Sequence, residues 1–143
     1  MYDSLLLPTD GSDASRAAVD HGLALAASVG ATVRVLSVAP SGPHGAMKRD
    51  QMRADPQAEA ESAIEAVESV ATGYDVVVES VVESGLPQEV IVAEAERSGV
   101  DAIVMGTAGR SGIDHVLLGS VTEEVLRSAP VPVIVVGPEQ VVE

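Results

Sequence analysis

Ala102-Ile103-Val104-Met105-Gly106-Thr107-Ala108-Gly109-Arg110-Ser111-Gly112-Ile113-Asp114-His115-Val116-Leu117-Leu118-Gly119-Ser120-Val121-Thr122-Glu123 decides how this chain is read. A short apolar run comes first and a helical pattern comes last. Between them lie four glycines and two serines. This strand–loop–helix order is where an α/β protein holds phosphate. Glycine lets the backbone approach an oxyanion and take positive φ. The next helix offers its unpaired N–H groups and the positive end of its dipole. The loop has no lysine where a P-loop requires one, and it lacks G-x-G-x-x-G. It is therefore neither of the two commonest phosphate fingerprints.

Outward from this stretch, apolar runs rich in Val, Ile and Leu alternate with helical patterns. The predicted strands are 4–7, 32–38, 75–82, 102–105 and 133–136. Several are continuously apolar, as expected of strands covered on both faces. The third is interrupted by Glu79 and Ser80, which suggests a sheet edge. The predicted helices run from about Ser12 to Val29, from Pro56 to Ala71, from Pro87 to near Gly99, and from about Ser120 to before Pro130. The first is read with Ala14, Ala18, Gly22, Leu25 and Val29 on its buried face, and the second with Ala60, Ala63, Ile64, Val67 and Ala71. Alternating β and α elements imply a parallel sheet with right-handed crossovers. The segment from Pro40 to Pro56 is irregular and reads as a loop. In an open parallel sheet, ligands bind beyond the carboxyl ends of the strands. Pro8-Thr9-Asp10, Ser37-Val38 and Met105-Gly106 all stand at such ends.

The glycine loop has the spacing G-x2-G-x9-G-S, at Gly106, Gly109, Gly119 and Ser120. This resembles the ATP-binding branch of the universal stress protein family. Leu5-Leu6-Leu7-Pro8-Thr9-Asp10-Gly11-Ser12 is similar to the family's first strand and its Asp-containing turn. Leu36-Ser37-Val38 resembles the end of its second strand, and Val131-Pro132-Val133-Ile134-Val135-Val136 its last. The similarity covers nearly the whole chain. It implies one domain over residues 1–143: a Rossmann-like three-layer α/β/α sandwich around a five-stranded parallel sheet of order 3-2-1-4-5, as in the adenine nucleotide alpha hydrolase-like folds. It implies an adenine nucleotide, ATP or else ADP or AMP, bound with Mg2+ or Mn2+. The implied contacts are Pro8, Thr9, Asp10, Val38, Met105, Gly106, Gly109, Arg110, Gly119, Ser120, Val121 and Thr122. Val38 would meet adenine through its main chain, and Asp10 would reach ribose or a phosphate-bound metal. The resemblance also implies a homodimer through the last strand, Val131 to Val136.

Each of these residues also has a plainer reading. Ser120-Val121-Thr122-Glu123 fits S-x-x-E, a capping box that needs no ligand. Asp10 before Gly11 fits an Asx turn. Arg110 is either a phosphate partner or a solvated loop residue. Where relatives often carry a polar ring or a cation, this chain has Ala108. His21, His44 and His115 form no metal pattern. Glu59 and Glu61 read as a solvated helix face. There is no G-x-S-x-G elbow and no cysteine.

The composition narrows the function. Eight basic residues stand against 22 acidic ones, for a net charge of −14, and Lys48 is the only lysine. Binding nucleic acid requires cations that neutralise phosphates, and an acidic surface is likewise repelled by anionic membranes. No apolar run approaches the roughly 20 residues that span a bilayer. A cytoplasmic protein is the expectation. The charge suits a high-salt cytoplasm, because the screening length falls to about 3 Å at 1 M salt. The expected role is a nucleotide-holding sensor or regulator, with hydrolysis slow if present. The rivals are an adenylyl-transferring enzyme of the same superfamily and a nucleotide-free dimerisation module.

Overall fold

The computed structural model describes residues 2–40, 55–107 and 118–137. The apolar runs form five strands: β1 (Ser4–Pro8), β2 (Thr32–Pro40), β3 (Val78–Gly85), β4 (Ala102–Gly106) and β5 (Val133–Val136). Between them lie α1 (Asp13–Val29), α2 (Pro56–Ala71), α3 (Pro87–Ser98) and α4 (Ser120–Ser128). All strand pairs are parallel, and the order is β3-β2-β1-β4-β5. The expected architecture is present. β3 begins at Val78 rather than near Asp75, because it pairs with β2 only from Val33 onward. It forms an edge of the sheet, as its interrupted pattern suggested.

Side chains alternate across a strand, so the sheet divides its apolar residues between two layers. Leu5, Leu7, Val33, Val35 and Val104 pack under α1 and α2. Leu6, Leu36, Ile103 and Met105 pack under α3 and α4. Leu5, Leu6 and Leu7 are each 0% exposed. Burying each contributes about 1.5–3 kcal/mol, which makes the short β1 the centre of both cores.

Helix α1 presents a different face from the one expected. Its buried residues are Ser15, Ala18, Val19, Gly22, Leu23 and Ala26. Ala14 and Leu25 are only half-buried, and Val29 is 47% exposed. In an Ala-rich helix two adjacent stripes fit the same period, and the large Leu23 decides between them. Gly22 permits the close approach to the sheet. A Cβ there would lie 2.9 Å from both methyls of Leu7.

Beneath α3 the sheet carries charge. The Glu94 side chain is 0% exposed, and its two oxygens accept from Arg34 Nε and from Arg97. Arg34 also reaches Glu79 at 3.0 Å and Arg97 reaches Glu83 at 3.5 Å. The hydrogen bond to Glu94 raises the Arg34 pKa above its ordinary value, against an opposing contribution from burial. At the amino end of the sheet, Asp101 accepts from the backbone N–H groups of Asp3 and Ser4 at 2.7 and 3.0 Å. This carboxylate holds β4 in line with β1.

Candidate nucleotide site

The four described helices begin where strands end, so their N-termini gather at one edge of the sheet. β1 lies between β2 and β4, and the chain departs to opposite sides from it. A crevice at that point is where an open parallel sheet binds its ligand. A cavity of about 300 Å³ occupies it. Pro8, Thr9 and Asp10 come to it from β1, Ser37 and Val38 from β2, and Met105 and Gly106 from β4. Gly119, Ser120, Val121 and Thr122 close it at the start of α4. Every predicted site residue within the described segments lines this one cavity. Gly109 and Arg110 lie outside the described residues, as do Ala108, His44 and His115.

Thr9 organises the floor. Its N–H continues the ladder to Leu36 O at 2.9 Å. Its carbonyl accepts from Ser37 Oγ at 2.8 Å. Its hydroxyl lies 3.1 Å from Ser15 Oγ and accepts from Gly11 N–H at 3.2 Å. Strands β1 and β2 and the start of α1 are thereby locked together. Gly11 makes the turn with φ 80°. Asp10 Oδ1 accepts from Ser12 N–H at 2.9 Å, so the Asx turn is real. The turn holds the carboxylate in the cavity wall, so its plain role and its candidate role coexist.

The four helix starts differ. Ser12 Oγ caps α1, accepting from Ser15 N–H at 3.2 Å. Asp55 Oδ1 caps α2, accepting from Gln57 N–H at 3.0 Å. No side chain caps α3, but its first residue is Pro87, which has no N–H to offer. No side chain caps α4 either, and its first residues keep their N–H groups. Among the described residues, α4 alone presents an uncapped first turn with a full set of donors to this edge. That is the arrangement an anion requires.

The expected capping box at Ser120 is not formed. Gly119 is the N-cap, and Ser120 is already the first helical residue. Gly119 N–H donates to Thr107 O at 2.7 Å, and Gly119 O accepts from Glu123 N–H at 2.9 Å. These two bonds start the helix one residue early, at a position with no side chain. Thr122 turns inward instead and donates from Oγ1 to Gly106 O at 2.8 Å.

Sequence reasoning missed part of the lining. Glu59, read as solvated, lines the cavity with Pro56 and Ala60 from the first turns of α2. Pro87 and Ile91 line it from α3. The signal was available in the rule that every helix following a parallel strand starts at the ligand edge. Glu61 is exposed and accepts from Gln57 Nε2 at 3.2 Å, as a surface residue would. Among the described lining residues the charged side chains are Asp10 and Glu59, with no cation. No group of three or more potential metal ligands occurs among the described residues.

A sequence model of the universal stress protein family matches residues 1–137. The chain belongs to the universal stress protein family. A universal stress protein of Methanocaldococcus jannaschii is 33% identical over 140 residues, 95% of this chain and 82% of that one. Among solved structures, hypothetical protein MJ0577 superposes with a TM-score of 0.82 at 30% identity, covering 99% of each chain. A universal stress protein crystallised with cAMP gives a TM-score of 0.75 at 25% identity, covering 96% of this chain and 99% of that one. The sheet order expected from the glycine-loop resemblance is thus the order of the fold, and the family is the one the loop suggested. No described helix of this universal stress protein is long and apolar enough to cross a membrane.

Proposed function

We propose that the cavity at the carboxyl edge of the sheet binds an adenine nucleotide, with its phosphates at the start of α4 and its base beyond β2. The observation that carries this reading is the uncapped first turn of α4 opening into a 300 Å³ cavity formed by three strand ends. A related universal stress protein crystallised with cAMP supports it. The nucleotide is read as ATP, or ADP or AMP, with Mg2+ or Mn2+ and with Asp10 as the carboxylate nearest the metal. Mg2+ commonly reaches such sites through one or two carboxylates, phosphate oxygens and water.

The protein holds nucleotide as a cytoplasmic sensor or regulator rather than turning it over. Phosphoryl transfer needs a cationic clamp on the transferring group. The glycine loop offers one arginine, Arg110, and the turn after β1 one carboxylate, Asp10, a set that suits holding better than turnover. The functional unit is a homodimer joined through β5, and the acidic surface is an adaptation to high salt.

Calorimetric titration with ATP, together with mass spectrometry of nucleotide released from the purified protein, tests the reading. A bound adenine nucleotide is expected, and the absence of binding would remove it. Release of ADP, AMP or pyrophosphate at enzymatic rates would make the protein an enzyme instead. Asp10→Ala should weaken ATP binding more in Mg2+ than in EDTA. An equal loss in both would assign Asp10 to ribose.

A further inference from the structure

We infer that Ala60 is a specificity-determining residue of this cavity: it leaves the room between α2 and α3 that the ring of the ligand enters, and so selects a two-ring base over a one-ring base. The inference rests on the nucleotide reading above. Helices α2 and α3 lie on opposite faces of the sheet, α2 over Val33 and Val35 and α3 over Leu36 and Ile103. Both reach the same cavity past the end of β2, which brings Val38 and Pro40 to it. Each helix starts on a proline that lines the cavity, Pro56 or Pro87. Each lines it again four residues later, with Ala60 or Ile91. Residues four apart share one face of a helix. Each helix therefore turns one face of proline and aliphatic side chain to the cavity.

The two faces differ in size. Ala60 and Ile91 are both buried, at 4% and 3% exposed, and they occupy equivalent positions in their helices. Where α3 carries an isoleucine, α2 carries a single methyl group, and the space this leaves belongs to the cavity of about 300 Å³. The chemistry of this end suits a ring better than a phosphate. Proline at the first helical position offers no N–H. The Asp55 carboxylate takes the next donor of α2, Gln57 N–H, at 3.0 Å. Of the side chains that α2 and α3 bring to the cavity, Glu59 is charged, and Pro56, Ala60, Pro87 and Ile91 are apolar. The uncapped donors stand on the β4 side, in the first turn of α4. A fused two-ring base has more apolar surface to bury against these side chains than a single ring has. The stabilisation grows with the area removed from water.

Ala60→Leu puts a larger branched side chain into that room. In an apolar pocket a change of one methylene already alters affinity about tenfold or more. The full-length wild type should bind ATP about tenfold more tightly than CTP, or better. The leucine variant should bind ATP and adenosine each about tenfold more weakly than the wild type, or worse. CTP should lose less, so the ratio of ATP to CTP affinity falls toward one. Ala60→Ser is close to alanine in size and should keep the wild-type ratio. Calorimetric titration reads every arm, and circular dichroism checks the fold. Ala60→Val takes the place of the leucine variant if that variant does not fold. A ratio unchanged by the larger side chain would overturn the inference, whether both affinities stay the same or both fall together. Loss of ATP binding with adenosine binding unaltered would overturn it too, since Ala60 would then act at the phosphates. Either of these results leaves the nucleotide reading in place. Failure of the wild type to bind ATP and adenosine would remove that reading itself, and this inference with it.

Discussion

Thr122 Oγ1 donates to the carbonyl oxygen of Gly106 at 2.8 Å, joining the first turn of α4 to the last residue of β4. Both residues are buried and both line the cavity. The bond fixes the direction in which the uncapped N–H groups of α4 point. Thr122→Val keeps the shape and leaves the Gly106 carbonyl without this donor. An unsatisfied buried acceptor costs about 1–3 kcal/mol. We expect a lower melting temperature and a several-fold loss of nucleotide affinity, with both restored by Thr122→Ser. Wild-type affinity in the Val variant would mean that the helix start is held by other contacts.

Gly22 allows α1 to lie against β1, with the position of its missing Cβ only 2.9 Å from the Leu7 methyls. Leu7 is 0% exposed, so its methyls can yield only by moving within the core. Gly22→Ala should therefore destabilise the protein by about 1–3 kcal/mol, the usual cost of overpacking a core. This outweighs the gain of up to about 1 kcal/mol that Ala brings to a helix interior. Chemical denaturation measures the net sign. A stabilised variant would show that Leu7 repacks freely.

The residues differ in how much of this they disclosed in advance. The strands were legible because Leu5-Leu6-Leu7 and Ile103-Val104-Met105 are apolar on both faces, as doubly covered strands must be. The order 3-2-1-4-5 was not in their periodicity; it came from the resemblance carried by Gly106, Gly109, Gly119 and Ser120. The face of α1 was misjudged because Ala14, Ala18 and Leu25 fit the helical period as well as Ala18, Val19 and Leu23. The start of α4 near Ser120 was legible, but its cap was not, because S-x-x-E at Ser120 is a strong local signal for a capping box and the cap is Gly119. The loop geometry at Thr107 and Gly119 overrides it. Glu59 was misread because a carboxylate on an amphipathic helix is most often solvated. Only the topology brings the first turn of α2 to the cavity.

Arg34 and Glu94 form the second relationship that can be tested in isolation. Glu94 is fully buried, and Arg34 is one of its two arginine partners. Arg34→Met would leave the buried carboxylate with Arg97 alone. Removing one partner of a buried pair costs about 3–5 kcal/mol. The side chain of Arg34 is 27% exposed, so the low end of that range is expected. The pH dependence has a definite sign. A raised arginine pKa gives stability that is complete below the ordinary arginine value and is lost only as the pH climbs through the raised one. The difference between wild type and variant should thus stay constant from neutral pH to about 10. A difference that shrinks over that interval would assign the effect to another group.

Salt should stabilise this protein. The net charge of −14 is self-repelling at low ionic strength, and raising KCl from about 0.1 M to about 1 M shortens the screening length from roughly 10 Å to 3 Å. The Arg34–Glu94–Arg97 cluster is mostly shielded from solvent at Glu94 and should lose little. Thermal unfolding followed by circular dichroism should give a melting temperature that rises with KCl. A flat or falling curve would reject adaptation to high salt.

The outer edge of β5 provides the test of assembly. Ile103 N–H donates to Pro132 O, and β4 pairs with β5 in the register Ile103↔Val133. Backbone groups alternate along a strand, so those of Pro132 and Ile134 face β4 while those of Val133 and Val135 face outward. No described strand pairs with that outward side. An apolar edge in this state is an aggregation hazard unless a partner covers it. In the proposed dimer, a second copy related by a two-fold axis would cover it with the same strand. Val135→Pro removes an outward donor and leaves the β4 ladder whole, because proline is tolerated where the N–H points away from the sheet. If the dimer forms through β5, the variant should fold, keep its cavity and run as a monomer in light scattering where the wild type runs as a dimer. A dimer that persists in the folded variant would locate the contact on another surface.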